Sequence, residues 1–140
     1  MLPLIPIGAA ILSAAVLIKN KLKSNAKKAS HSKLIDYVKS LNIPVDDNGN
    51  FNPDALLPDG KPILFDVMFN TELFTALLDY GANPNICNAD GIPAIIYAVT
   101  RRLYSEERVK DIVSTLLKYG ANPNAMDSDG KTAVFHANSY

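Results

Sequence analysis

Charge of either sign is missing from Leu2–Ile18, and carboxylates are missing from the lysine-rich stretch Lys19–Lys33 that follows. Cysteine is nearly absent: Cys87 stands alone, which excludes an internal disulfide and any cysteine-rich zinc site. Histidine is scarce, with only His31 and His136. There is no glycine-rich phosphate loop and no β-run of any length. A nucleophilic thiol needs a neighbouring base or a positive helix end, and the residues around Cys87 supply neither. Asp46-Asp47-Asn48-Gly49-Asn50 lacks the alternating ligands and closing glutamate of a calcium loop; it reads as a turn. These absences lead to the expectation of a protein that is not an enzyme and carries no metal or cofactor.

What is present is unevenly placed. The 140 residues have a formal net charge of zero, but Lys19–Lys33 holds six lysines, while Leu34 onward holds eight basic residues against all fourteen acids. A basic neck therefore adjoins an acidic body. Phosphate is repelled by a net-negative surface, so the expected partners do not include nucleic acid.

The chain divides at these shifts into an apolar segment at 1–18, the neck at 19–33 and a body at 34–140. As one helix, Leu2–Ile18 spans about 25 Å, slightly short of a hydrocarbon core of about 30 Å. Lysines snorkelling from Lys19 and Lys21 make up the difference. The expectation is an uncleaved transmembrane helix, a single-pass membrane protein whose lysine flank and body face the cytoplasm, with the neck held to anionic headgroups. Two alternatives stay open. One is a signal peptide whose cleavage leaves a secreted or periplasmic protein, although the lysines follow the apolar stretch rather than precede it. The other is a helix buried against the body or a partner subunit.

The body repeats itself. Tyr-Gly-Ala-Asn-Pro-Asn occurs at Tyr80–Asn85 and again at Tyr119–Asn124, each after a Leu-Leu pair. Asp-Gly turn signals stand at Asp59-Gly60, Asp90-Gly91 and Asp129-Gly130. Each is followed by a short apolar helix start with Pro62, Pro93 or Thr132 in second place. Val109, Ile112, Val113, Leu116 and Leu117 fall on one helical face, with Ser105-Glu106-Glu107 as cap and first turn. Leu73, Phe74, Leu77 and Leu78 are their counterparts after Asn70 or Thr71. Gly81 and Gly120 fall where a helix needs a left-handed residue. Leu34, Ile35, Val38 and Leu41 form an earlier face, capped by Ser30 or Ser32 and ended by Pro44. Val45–Pro58 reads as a long loop, and Asn52-Pro53 could start one helical turn inside it. The fold class is all-α with protruding hairpin-like loops.

These units resemble ankyrin repeats over about Asp59–Tyr140, with a worn earlier unit from Leu34. The ending Leu-Leu-x-x-Gly-Ala-x-x-Asn is met in full at Leu77–Asn85 and Leu116–Asn124. The start is met loosely, with Phe65, Ile96 and Phe135 where the family has histidine. The spacing of 39 residues between the last two Asp-Gly pairs exceeds the usual repeat of about 33, and the additional residues lie around Thr100–Arg108. The resemblance implies a short helical solenoid that grips a protein partner with its loop tips and the exposed side of its first helices. By that mapping the candidate partner-binding residues are Ile86, Asn88, Ala89, Met126, Asp127 and Ser128 on the tips, with Tyr97 (and its counterparts Asp66 and His136) on first helices. Arg101, Arg102 and Tyr104 join them because arginine and tyrosine are favoured contact types. Two rival functions accompany that reading: an immunity- or antitoxin-type inhibitor of one enzyme, and a structural subunit of a membrane assembly.

Overall fold

The computed structural model describes residues 7–139, with side chains from residue 14 onward. Its helices, in chain order, are α1 (Ile7–Ser40), α2 (Ile63–Val67), α3 (Thr71–Tyr80), α4 (Ala94–Thr100), α5 (Glu106–Lys118) and α6 (Ala133–Asn138). No strand forms among the described residues beyond three isolated antiparallel bridges, Leu56 to Pro62, Cys87 to Pro93 and Met126 to Thr132.

Short and long helices alternate, and the caps explain their limits. Pro62 and Pro93 precede α2 and α4 in extended conformation, supplying no side-chain cap but a fixed φ. Asn70 and Ser105 cap α3 and α5 by accepting the Leu73 and Arg108 amides. Gly81 closes α3 at φ 116°, and the Ala82 amide then reaches the Leu77 carbonyl at 3.1 Å. Gly120 repeats this at φ 97°, with the Ala121 amide on the Leu116 carbonyl at 2.9 Å.

The core runs along the stack rather than filling one globule. Ile63, Leu64, Phe74, Leu77, Ile96 and Leu116 are all fully buried, and α4 packs on both α5 and α6. Each such apolar side chain contributes about 1.5–3 kcal/mol on leaving water, and no buried polar residue opposes them among the described residues.

The 39-residue spacing is absorbed in several places. α4 has 7 residues where α2 has 5, and α5 has 13 where α3 has 10. The linking loop also grows, from 68–70 to 101–105. Tyr104 in that loop stacks on Phe69 of the preceding unit, centroids 3.9 Å apart and planes 5° off parallel. Arg108 donates to the Phe69 carbonyl. The longer loop thus closes over its neighbour.

α1 differs from expectation in two respects. It is one helix of 34 residues, so Ser30 and Ser32 lie inside it and neither is a cap. No glycine or proline interrupts Lys19–Lys33, and lysine and alanine both favour helix, so nothing stops it. Its last turns are the worn repeat helix: Leu34 and Val38 are fully buried, and Asn42 takes the left-handed place of Gly81 and Gly120 at φ 57°.

The second correction concerns the membrane. Among the described residues no helix is long and apolar enough to cross one. Within α1 the uncharged run is Ile7–Ile18, about 18 Å of helix against a hydrocarbon core of about 30 Å, and the lysines begin immediately after it. The single-pass membrane localisation, the transmembrane helix of the fold class and the cytoplasmic placement built on them are therefore not sustained. The beginning of the apolar segment, at 2–6, lies outside the described residues.

Candidate protein-binding surface

Each bridge is the neck of a hairpin finger, and all three fingers are built by one recipe. An Asn-Pro pair turns the chain outward, and the asparagine oxygen accepts the amide two residues on. The distances are 3.0 Å from Asn52 to Asp54, 2.9 Å from Asn83 to Asn85 and 2.9 Å from Asn122 to Asn124. Such a side-chain turn competes with helix and fixes the exit direction. The tips of the second and third fingers are tied in the same manner, whereas Leu57 at that place in the first leaves Asp59 to accept the Lys61 amide at 3.0 Å. Asn88 accepts the amides of Asp90 and Ile92 at 3.0 and 2.9 Å. Asp127 accepts those of Asp129 and Lys131 at 3.0 and 2.9 Å. The Lys131 amide first, then the His136 ring, hold the Asp127 carboxyl below its ordinary range.

The expected contact residues therefore divide. Asn88 and Asp127 turn their side-chain oxygens onto finger backbone, and Ile86 is half-buried against the core rather than standing on a solvated tip. These three shape the fingers. Ala89, Met126 and Ser128 are exposed. Tyr97 is half-buried on α4, edge-on to Phe65 at 4.9 Å. Arg101 lies over its ring, 4.3 Å from the centroid, and donates to its hydroxyl. Arg102 is exposed, and Tyr104 is held against Phe69.

The neighbouring first-helix positions are tied down as well. Asp66 receives Lys61 at 2.7 Å and the Tyr37 hydroxyl; His136 meets Asp127 at 2.7 Å. Burial pushes the Asp66 carboxyl up, but the hydrogen bonds from Lys61 and Tyr37 outweigh it and leave the carboxyl below its usual range. Burial, then the Asp66 hydrogen bond, pushes the Tyr37 phenol up to about 12. This ridge is held by fixed polar contacts before any partner arrives.

Two exposed residues escaped the sequence reading. Leu56 is 60% exposed at the bridge of the first finger, in the same place as Cys87 and Met126. The signal was present: Leu56, Cys87 and Met126 each stand three residues before an Asp-Gly. Leu103, at the crest of the long loop, is 89% exposed and has no counterpart in the shorter unit.

A family model, described as the ankyrin repeat, matches residues 90–128. The repeats are ankyrin repeats. Two solved structures share the architecture. One is an ankyrin repeat domain from Acinetobacter baumannii AYE, 29% identical with a TM-score of 0.59, covering 66% of this chain and 47% of that one. The other is the ankyrin repeat protein EF0377, 25% identical with a TM-score of 0.56, covering 65% of this chain and 47% of that one. The chain thus spans about half the length of each of these two structures. Ankyrin repeats generally mediate protein–protein interaction, and the finger and ridge surface is where this array exposes apolar side chains in register. Among the described residues, no group of three or more His, Cys, Asp or Glu is placed to hold a metal ion.

Proposed function

We propose that this ankyrin-repeat chain is a binding protein, not an enzyme, and grips a protein partner with its three fingers and the adjoining ridge at Tyr97 and Arg101. The observation that carries this is the row Leu56, Cys87 and Met126: three exposed apolar or soft side chains at the equivalent bridge position of three fingers. Exposed apolar groups set in a polar surround are a usual mark of an interface. Asp59, Asp90 and Asp129 flank the row and are exposed, so the matching face is apolar with a basic rim. The same acidic rim supports a second reading, inhibition of an enzyme whose cleft is basic.

Affinity purification with the full chain, beside the double variant Leu56→Ser/Met126→Ser, tests the proposal. A partner held by the natural chain and lost by the variant supports it. A partner retained equally by both places binding elsewhere. A recovered enzyme whose activity falls on adding the chain selects the second reading.

A further inference from the structure

On the side of the molecule built by α3 and α5, the basic half of α1 makes a second surface. A cleft of about 950 Å³ lies between Lys23–His31 of α1, the length of α3 and the end of α5. Its floor is small and aromatic: Ala26, Ala76, Tyr80 and Tyr119. Tyr80 is braced there, stacked on Phe51 at 4.4 Å and on His31 at 5.3 Å.

Its charges do not cancel. Four lysines line it (Lys23, Lys27, Lys28 and Lys118) against two carboxylates, Glu72 and Asp79, and both carboxylates are already engaged. Glu72 accepts Lys33 at 2.9 Å and Ser30 at 3.2 Å; Asp79 takes Lys27 at 3.7 Å and the Tyr119 hydroxyl. Lys23 and Lys28 on one wall have no carboxylate partner among the described residues, and Lys118 on the other stands 5.9 Å from the Tyr119 ring centroid.

We infer that this cleft takes an acidic segment of a protein partner, its carboxylates bridging Lys23 and Lys28 to Lys118 and its small apolar face lying on Ala76, Tyr80 and Tyr119. An apolar floor with cations on both walls selects such a segment, because the lysines steer it and the floor retains it. The surface is separate from the fingers and of opposite charge, so it stands whether or not the finger proposal does.

The probe is a labelled 18-residue helical peptide of alternating glutamate and alanine or leucine turns, titrated by anisotropy into the full chain. Binding is expected at 50 mM salt, at least about tenfold weaker at 500 mM, and at least tenfold weaker in Lys23→Glu/Lys28→Glu/Lys118→Glu with unchanged circular dichroism. Leu56→Ser/Met126→Ser leaves it unchanged. No binding, equal binding by the lysine variant, or equal binding of a lysine-for-glutamate peptide overturns the inference. So does a cleft filled by a second copy in sedimentation, or one that takes single-stranded RNA or anionic vesicles in preference to the peptide.

Discussion

The Asn85 side chain fastens one repeat to the next: its oxygen accepts the Asn122 amide at 2.7 Å, and its nitrogen donates to the Gly120 carbonyl at 3.2 Å. Asp54 does the first half of this one unit earlier, accepting the Asn83 amide at 2.8 Å. Finger bases are thereby locked in register. Asn85→Ala should cost about 1–3 kcal/mol, the net worth of two hydrogen bonds whose exposed backbone partners turn to water instead, whereas Asn85→Asp keeps the acceptor and should cost less. Urea unfolding of the three chains measures the difference.

Adjacent leucines on α5 should respond unequally. Leu116 is fully buried and Leu117 is 42% exposed. Leu116→Ala should therefore destabilise by about 2–5 kcal/mol and Leu117→Ala by under about 1 kcal/mol. Thermal or urea midpoints of the two variants decide it.

The left-handed caps give a paired test. Gly120→Ala meets no steric neighbour but places a Cβ at φ 97°, which should cost about 1–2 kcal/mol. Asn42 already adopts φ 57° with a side chain, so Asn42→Gly should be close to neutral. Equal effects at the two sites would contradict the equivalence of α1's end with those of α3 and α5.

Stability should fall at alkaline pH. The Tyr37 and Tyr119 phenols are pushed up to about 12 from 10.0, by burial first and then by Asp66 and Asp79. A raised pKa in the folded state favours the protonated form, so its contribution is complete below pH 10 and is lost as pH climbs toward 12. Lys61, raised chiefly by its hydrogen bond to Asp66, acts in the same direction. Asp66 acts oppositely: its carboxyl is depressed, so that contribution is lost as pH drops below the ordinary carboxylate range. Tyr37→Phe should flatten the alkaline limb in denaturant titrations.

Much of the architecture was legible because the repeat endings are local. Leu77–Asn85 and Leu116–Asn124 each encode a packing face, a left-handed glycine and a turn, and Asn70 and Ser105 cap where their chemistry indicates. α1 was less legible. The change from apolar residues to lysines looks like a boundary in composition, yet helix propensity does not change there, and the chain follows propensity. The first finger was hidden for another reason. Asp46 accepts the Asn48 and Asn50 amides at 2.9 and 2.7 Å, forming an extra turn that separates the Leu41 end of the helix from Asn52-Pro53. Asn52-Pro53 consequently reads in the sequence as the start of one helical turn inside a long loop, not as the base of a finger, and Leu56 does not stand out beside Cys87 and Met126. Ile86 was misplaced because hydrophobicity alone does not say whether a finger residue faces the stack or the solvent.

Photo-crosslinking is the most direct trial of the finger surface. A benzophenone side chain is placed singly at 56, 87 and 126, with a fourth at Ser114 on the exposed side of α5. The same partner protein should be trapped from all three fingers and not from Ser114. Different proteins from the three fingers, or equal trapping from Ser114, would contradict the account.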